Sequence, residues 1–330
     1  MSKFVDPNQV PIRTLYTGEN IPCIGMGTFG SDRFSPEQVA DAVYGAIRCG
    51  YRMFDCASVY GNEELIGKVF ARAFSENLVK REDLFITSKV WNDMHGKADV
   101  LLSLAKTLKD LQVDSIDAFF VHWPFPNYHA PGCDGDSRNP DSVPFSADAF
   151  MATWRQMERL VDMGLARNIG MSNMTITKLD AVLPLCRIKP TLIEMELHPC
   201  FQQKELYDYC VAKDIQTIGF CPIGSPTRPE RDIAEGDAVD TEAPAVVEIA
   251  KAHGVHPAII CLKWSLQLGA IPIPFSVKEE EYYSNLLCTT QKPLSDAEME
   301  KLKTVDCNCR LVKGQVFLWE GAKGWEDLWD

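Results

Sequence analysis

The amino-acid sequence predicts a (β/α)8 barrel, built as a single domain over residues 1–330. Eight short apolar runs alternate with helix-like segments, and together they occupy about 280 residues, the count and size expected of this barrel. Two of the connections that follow strands are long, as loops on the catalytic face of such a barrel often are. An open, doubly wound parallel sheet shows the same alternation, so periodicity alone leaves that fold open as the alternative.

The predicted strands are short apolar runs bounded by polar or turn-forming residues. They cover residues 26–29, 53–55, 84–89, 116–122, 166–172, 191–196, 215–220 and 271–275. The predicted helices cover residues 36–49, 61–73, 97–110, 148–163, 174–183, 203–212, 242–252, 257–268 and 278–287. The first helix has a clear start, because Ser35-Pro36-Glu37-Gln38 combines a capping box with proline at the first helical position. Ser146 is a weaker N-cap for the fourth helix.

Residues 14–23 precede the first predicted strand and are expected to form a β-hairpin. The turn is predicted at Gly18-Glu19-Asn20, since glycine and asparagine accept the backbone angles of a tight turn. A hairpin in this position would close the floor of the barrel as a plug.

Three segments are expected to surround the catalytic mouth of the barrel. The connections 123–146 and 221–241 both follow strands, which places them on the carboxyl-end face. The tail 306–330 carries three of the seven tryptophans among polar residues. We expect the tail to cover the same mouth; a dimer contact is the less favoured alternative.

The segment Gly25-Met26-Gly27-Thr28-Phe29-Gly30 spells the GxGxxG pattern of Rossmann dinucleotide sites. That motif must open directly into a helix, yet Ser31-Asp32-Arg33-Phe34 intervenes before the cap at Ser35. Pro22 also disrupts the strand that should precede it. The segment is therefore interpreted as a strand and turn that need glycine, not as a Rossmann site.

Composition limits the classes of partner. The net charge is −13, from 33 basic and 46 acidic residues. This acidic balance argues against nucleic acid or an anionic membrane, because both require phosphate-neutralising cations. The sequence shows no secretory leader and no apolar run long enough for a membrane span. The 12 cysteines are scattered, and several of them (Cys186, Cys210, Cys261) lie inside apolar runs. These features predict a cytoplasmic protein, monomeric or weakly dimeric, with free thiols.

Four polar residues lie at or just beyond the ends of three consecutive predicted strands: Asp55, Tyr60, Lys89 and His122. Ends of successive strands converge on one patch of a barrel. A lysine beside a tyrosine would lower the tyrosine pKa toward neutrality, and an aspartate would keep that lysine charged. With a histidine to orient a substrate oxygen, this set suits proton transfer to a carbonyl oxygen while a hydride reaches the carbon.

Several longer stretches carry a resemblance to a known family. Residues 54–67 (FDCASVYGNEELIG) closely resemble the signature of the aldo-keto reductase superfamily. Further blocks match in the same order: 86–91 (ITSKVW), 122–124 (HWP), 164–173 (GLARNIGMSN), 196–199 (ELHP) and 222–225 (PIGS). The resemblance runs from about residue 10 to the tail, and it implies a (β/α)8 barrel that binds an extended nicotinamide dinucleotide without a Rossmann domain.

The resemblance also implies roles for individual residues. Tyr60 would be the general acid/base, Lys89 and Asp55 would tune it, and His122 would orient the carbonyl. Ser172 and Asn173 would hold the nicotinamide carboxamide, against which Glu194 also stands. The remaining positions implied for cofactor binding are Thr28, Phe29, Asp55, Phe220, Cys221, Pro222, Ile223, Ser225, Phe275, Ser276, Val277, Glu281 and Asn285. Those implied for the substrate pocket are Phe29, Trp91, His122 and Trp123.

Three departures from the family pattern concern the cofactor. Glu194 replaces the usual glutamine, and a glutamate accepts hydrogen bonds but donates one only when protonated. Phe275 and Glu281 replace the lysine and arginine that meet the adenosine 2′-phosphate, and Lys278 is a possible substitute. We therefore expect NAD(P)H as cofactor with a leaning toward NADH, and no metal, because His253-x-x-His256 and Cys307-x-Cys309 lack zinc-site partners.

The expected activity is reduction of an aldehyde or ketone to an alcohol, or the reverse oxidation of a polyol. One alternative is a non-catalytic barrel that binds nucleotide and regulates a partner; because all four catalytic positions are filled, this is disfavoured. Another is a lyase or isomerase that forms a Schiff base at Lys89. An adjacent aspartate would keep that amine protonated, which a nucleophile cannot be.

Overall fold

The computed structural model describes residues 3–130, 133–226 and 228–330. A two-stranded hairpin comes first, and eight parallel strands follow. The strands are β1 (Ile12–Thr14), β2 (Asn20–Pro22), β3 (Met26–Gly27), β4 (Met53–Asp55), β5 (Phe85–Val90), β6 (Ile116–Val121), β7 (Ala166–Ser172), β8 (Leu192–Glu196), β9 (Gln216–Phe220) and β10 (Ile271–Pro272). All eight predicted barrel strands are therefore present, with the first and last shorter than expected.

The helices lie between and beyond the strands, as a βα repeat requires. They are α1 (Pro36–Cys49), α2 (Glu63–Ser75), α3 (Asp99–Leu111), α4 (Ala147–Asp162), α5 (Ile176–Val182), α6 (Lys204–Ala212), α7 (Pro244–His253), α8 (Pro257–Leu268), α9 (Glu279–Leu287) and α10 (Asp296–Lys303). The predicted capping box of α1 is formed in both directions between Ser35 and Gln38. α10 was not predicted, although Ser295 and Glu298 form the same kind of capping box at its start.

The strands close into a barrel. Each strand from β3 to β10 pairs in parallel with the next one in sequence. Backbone hydrogen bonds from Gly25 N to the Pro272 carbonyl and from Gly27 N to the Pro274 carbonyl, each 3.1 Å, join the first strand to the last. An open, doubly wound sheet is thus excluded, because it would leave both edges unpaired.

The closure explains the glycines of the GxGxxG pattern. A Cβ atom built on Gly27 would stand 3.0 Å from the Ile273 carbonyl oxygen, and one on Gly25 would stand 2.9 Å from the side chain of Met53. Glycine is required here because two strands approach closely where the barrel closes, not because a phosphate binds. The interpretation against a Rossmann site is confirmed.

The hairpin plugs the floor of the barrel, as predicted. Its Leu15 and Ile21 side chains are buried in one cluster with inward-facing strand residues such as Phe85 and Phe120. Asn168 on β7 donates to the Glu19 carboxylate and so ties the turn to the barrel. The floor is therefore closed by apolar packing, and the accessible side of the barrel is the opposite face.

A second and larger cluster fills the layer between strands and helices. A third, separate cluster joins the 123–146 connection to the tail, through Trp123, Phe125, Val316, Phe317 and Leu328. The tail thus packs on the carboxyl-end face with apolar residues of its own, apart from the main core.

All twelve cysteines are free, and Cys210 and Cys261 are buried as expected, whereas Cys186 is half-buried. Within the described ranges, no group of three His, Cys, Asp or Glu residues is arranged to hold a metal ion. Over the same ranges no individual helix has the length and apolar character of a membrane span; α7 and α8 meet that criterion only as a pair bent by 97°.

Candidate functional site

A cavity of about 970 Å³ opens at the carboxyl ends of the strands. It is lined by nearly all the residues that the sequence pointed to, including both ends of the implied cofactor path. The predicted residues on its wall are Thr28, Phe29, Asp55, Tyr60, Trp91, His122, Trp123, Ser172, Asn173, Glu194, Phe220, Cys221, Pro222, Ile223, Ser225, Phe275, Ser276, Val277, Glu281 and Asn285. Lys89 lies behind this wall and is fully buried.

An ion pair stands behind the closed end of the cavity. The Lys89 ammonium lies 2.6 Å from Asp55 Oδ2 and donates to the Cys56 carbonyl at 3.1 Å. Thr87 donates to the other Asp55 oxygen at 2.5 Å. Burial lowers the pKa of Lys89, but Asp55, Glu194 and Tyr60 together raise it well above its usual value. The lysine is therefore a fixed cation, which does not suit a Schiff-base nucleophile.

Tyr60 ends a short 3-10 turn, Ser58–Tyr60, that follows β4. Its ring lies 5.1 Å from Phe29 and 6.0 Å from His122, measured between centroids, and the Lys89 ammonium is 5.5 Å from its ring centre. Burial raises the pKa of Tyr60 above its usual value, and the opposing charge of Lys89 does not outweigh burial. The expected fall toward neutrality is therefore wrong for this state: Tyr60 is held as a neutral phenol, which can donate a proton.

His122 follows β6 and faces Tyr60 across the cavity. Burial, followed by the charge of Lys89, lowers its pKa well below the usual value, so the imidazole is neutral. Its Nδ1 atom is buried without a hydrogen-bond partner. A proton on Nδ1 would have no acceptor, so the tautomer protonated at Nε2 is favoured. The Nε2–H group of a neutral imidazole is suited to donate a hydrogen bond to a carbonyl oxygen.

Glu194 completes the buried charged group. It is on β8, and its Oε1 atom lies 3.4 Å from the Lys89 ammonium. Its Oε2 atom is buried and has no hydrogen-bond partner among the described residues. Burial first, and then the nearby Asp55, raise the pKa of Glu194 to about 8 in spite of Lys89. A carboxyl group in this environment retains its proton at neutral pH.

Ser172 and Asn173 lie beside Glu194, because Ser172 pairs with Glu194 in the parallel register of β7 and β8. Asn173 adopts a positive φ of 59°, which is uncommon for a residue with a side chain. Its amide donates to the His122 carbonyl at 2.9 Å, while its Oδ1 atom is buried with no partner. Asn173 and Glu194 both line the cavity, and each has a buried polar atom without a partner in the described part of the chain, as expected of a site for an amide-bearing ligand.

The loop after β9 forms the next part of the wall. Cys221, Gly224 and Ser225 all have positive φ, at 50°, 73° and 35°. Two of these residues carry side chains, so the loop stores backbone strain of the kind that concentrates at ligand sites. Arg228 was not predicted; it is almost fully buried next to this loop and donates to the Ser225 carbonyl at 3.4 Å.

The far end of the cavity is bounded by residues after β10. Glu281 accepts a hydrogen bond from Ser276 Oγ at 2.7 Å and pairs with the Lys278 ammonium at 2.9 Å. Phe275 packs edge-on against Phe34, with ring centroids 5.8 Å apart. Lys278, the possible substitute cation, is thus already paired with a carboxylate.

The near end of the cavity is aromatic. Trp91 lies 5.0 Å from His122 and 5.9 Å from Phe317, and Trp123 lies 4.6 Å from Phe317, between centroids. Phe317 and its tail neighbour Val316 line the cavity but were not predicted individually, nor was His129 of the 123–146 connection. The available signals were the length of these segments and, in the tail, three tryptophans among polar residues. Neither signal identifies individual contacts, because side-chain contacts between loops leave no periodic pattern in the sequence.

Sequence reasoning also missed a buried triad beside the cavity. Both ring nitrogens of His198 lie 3.0 Å from carboxylates, Nδ1 from Asp240 and Nε2 from Glu196. Burial lowers the pKa of His198, but these two partners raise it to about 9. Glu196 also accepts from the backbone N–H groups of Leu311 and Val312. The triad therefore fastens the tail to β8 and to the connection that ends near Asp240.

Comparisons with known proteins agree with this arrangement. The model of the aldo/keto reductase family matches residues 23–306. An aldo/keto reductase of Synechocystis is 36% identical over 331 residues, covering 100% of this chain and 99% of that protein. An NADH-dependent D-xylose reductase of Candida parapsilosis is 37% identical over 314 residues, covering 91% of this chain and 94% of that protein.

A solved structure shows the same fold. The crystal structure of a Bombyx mori aldo-keto reductase in complex with NADP matches with a TM-score of 0.81 and 29% sequence identity. The match covers 92% of this chain and 95% of that one. The chain belongs to the aldo/keto reductase family, and it is an NAD(P)H-dependent oxidoreductase that interconverts carbonyl compounds and alcohols.

Proposed function

We propose that this chain reduces an aldehyde or ketone in the aromatic end of the cavity, with Tyr60 as the proton donor. The observation that carries the proposal is the placement of a neutral phenol at the cavity wall, with a buried Lys89–Asp55 pair directly behind it. A phenol can protonate the carbonyl oxygen only if the resulting phenolate is stabilised, and the fixed ammonium supplies that stabilisation. The same residues serve alcohol oxidation in reverse.

His122 would orient the carbonyl. Its neutral ring is 6.0 Å from the Tyr60 ring, so a single oxygen between them can accept hydrogen bonds from both. Lys89 does not line the cavity, and its role would be to position and charge-stabilise Tyr60, not to contact substrate. Asp55 would hold Lys89 protonated and in place.

The residues present fit a nicotinamide dinucleotide. Bare buried atoms of Asn173 and Glu194 would meet the carboxamide, Phe220 would offer a flat apolar face, and the strained loop around Ser225 would follow the pyrophosphate. When bound, the reduced nicotinamide supplies a hydride to the carbonyl carbon. The chain's own residues hold the cofactor and substrate together and exclude water.

We further propose that NADH serves at least as well as NADPH. A 2′-phosphate would meet the Glu281 carboxylate, whose charge is countered only in part by the exposed Lys278. A free ribose hydroxyl could instead donate to that carboxylate, as it does to acidic residues in other dinucleotide sites. The 37% identical Candida enzyme is an NADH-dependent reductase, and the Bombyx neighbour was solved with NADP, so both choices exist among similar proteins.

The substrate is expected to present an apolar or flat surface beside its carbonyl. Trp91, Trp123 and Phe317 form three walls of the near end, and Phe29 forms a fourth beside Tyr60. We infer that residues 306–330 act as a cover over this end, since Val316 and Phe317 belong to the wall. The pocket would then select substrates by shape more than by charge.

A panel assay tests the proposal. Aliphatic aldehydes, aromatic aldehydes, ketones and polyols are assayed spectrophotometrically with NADH and with NADPH, and Tyr60→Phe serves as the matched control. We expect reduction of at least aromatic aldehydes by the unaltered protein, with little remaining in the control. Nucleotide binding without turnover of any carbonyl would contradict the proposal and favour a regulatory barrel.

A further inference from the structure

Two carboxylates share one cation at the inner end of the cavity. Lys89 pairs with Asp55 at 2.6 Å and with Glu194 at 3.4 Å, and it is the one cation paired with either carboxylate in the described part of the chain. All three side chains are buried, with exposed fractions of 0%, 2% and 4%. If both carboxylates were ionised, a net negative charge would remain buried, which is strongly unfavourable.

The other titratable groups around Glu194 do not supply the missing positive charge. Tyr60, from the turn after β4, is a neutral phenol, and His122, at the end of β6, is a neutral imidazole. Glu196, on the same strand, is engaged by His198 and by two backbone amides. Ser172, the last residue of β7, and Asn173, which follows it, are uncharged. The cluster of Lys89, Asp55 and Glu194 is therefore neutral only if one of its two carboxyl groups retains a proton.

The geometry places that proton on Glu194. Asp55 is fully engaged, since its two oxygens accept from Lys89 and Thr87. On Glu194, Oε1 faces Lys89, whereas Oε2 is buried and has no hydrogen-bond partner among the described residues. Glu194 as a residue lines the cavity. A hydroxyl at Oε2 would be a hydrogen-bond donor, and Asn173, which lines the same cavity, has in its Oδ1 atom an acceptor with no partner among the described residues.

We propose that Glu194 functions as a neutral acid that donates a hydrogen bond to the nicotinamide carboxamide oxygen, and that cofactor binding consequently requires its proton. The inference rests on the proposed function, because it takes the cavity as the nicotinamide site. The carboxamide NH2 group donates to Asn173 Oδ1 and its oxygen accepts from Glu194, so both bare atoms gain a partner. Ionised Glu194 would instead repel the carboxamide oxygen.

The consequence is a cofactor affinity that depends on pH in a defined direction. Well below its pKa of about 8 Glu194 is protonated, so the affinity for NADH is expected to be constant there. At higher pH the protein must take up a proton in order to bind, and the dissociation constant should rise roughly tenfold per pH unit. A glutamine at this position would donate at every pH and would show no such dependence.

The test is titration calorimetry of NADH binding between about pH 6.5 and pH 9.5, in buffers of different ionisation enthalpy, which also reports proton uptake. We expect the unaltered protein to lose affinity tenfold or more by the upper end and to take up close to one proton there. Glu194→Gln should bind with a dissociation constant that varies less than twofold, and without uptake. Glu194→Leu should bind weakly at every pH.

A matched control lies at the other end of the same cavity. Glu281→Gln changes a carboxylate near the adenosine end, so it can alter the affinity, but it should preserve the pH slope. Infrared difference spectroscopy gives an independent readout: a protonated carboxyl C=O band is expected at pH 7 and should be absent in Glu194→Gln.

The outcomes separate this inference from the proposed function. If NADH binds with the same affinity across the range, or if Glu194→Gln retains the full slope, the inference is overturned while the reductase function stands. If neither NADH nor NADPH binds at any pH, the assignment of the cavity as a cofactor site fails. Absence of the infrared band would also overturn the inference, because it would show Glu194 to be ionised.

Discussion

We predict that one substitution, Glu281→Arg, shifts the choice of cofactor toward NADPH. Glu281 is held by Ser276 and Lys278 at the far end of the cavity. Burial alone would raise the pKa of Glu281, but those two partners lower it below its usual value, so the carboxylate is charged at neutral pH. Glu281→Arg removes this anion, adds a cation, and releases the Lys278 ammonium to a 2′-phosphate.

The expected effect follows from the hydrogen bonds that the variant can donate to a 2′-phosphate. A charge-assisted hydrogen bond to phosphate contributes about 1.5–3 kcal/mol. The side chains of Lys278 and Glu281 are 69% and 52% exposed, so solvent screening favours the lower end of that range. Two such hydrogen bonds, donated by the new arginine as a bidentate pair, amount to about 3 kcal/mol, or roughly two orders of magnitude in affinity. The released Lys278 is exposed and adds a smaller effect.

The measurement is kcat/KM for one aldehyde with NADH and with NADPH. We expect the unaltered protein to use NADH at least as well, and Glu281→Arg to favour NADPH by about a hundredfold relative to that baseline. Adding Phe275→Lys should extend the shift, although it removes the packing of Phe275 on Phe34. Glu279→Gln, on the same turn but outside the cavity lining, should leave the ratio unchanged. A tenfold preference for NADPH in the unaltered protein would refute the reasoning and implicate Lys278.

Three further predictions concern catalysis, the tail and pH. Tyr60→Phe should lower turnover by about two to four orders of magnitude, with NADH affinity retained; unchanged turnover would remove the residue from its proposed role. Deletion beyond Arg310 should leave a cooperatively folding barrel with a KM raised more for bulky than for small aldehydes; loss of folding, seen by circular dichroism, would make the tail part of the core. His198 has its pKa raised by Glu196 and Asp240 to about 9, so its contribution to stability is complete below pH 6.5 and is lost as pH rises through about 9. The free energy of unfolding of His198→Gln, measured by urea titration at each pH, should therefore vary less across that window than that of the unaltered protein. The same dependence on pH in both proteins would contradict the prediction.

Much of the fold followed from local sequence. The eight strands were predictable because each is a short apolar run between turn signals, and Ser35-Pro36 marked a helix start that the structure reproduces. The proposed catalytic positions were suggested by polar residues at strand ends, a pattern that any parallel barrel brings to one face. Asp296–Lys303 was overlooked although its capping box is equally explicit, since its few apolar residues give little periodicity.

The consequences of burial, and of contacts between distant segments, could not be predicted from local sequence. Whether the sheet closes depends on two hydrogen bonds between strands almost 250 residues apart, at Gly25–Pro272 and Gly27–Pro274. The pKa of Tyr60 was expected to fall because Lys89 is near, yet it rises, because desolvation is set by everything that surrounds the ring. The residue types at the strand ends can be read directly from the sequence. Their charge states follow only from the folded arrangement, because these depend on the number of carboxylates and cations enclosed in one low-dielectric space.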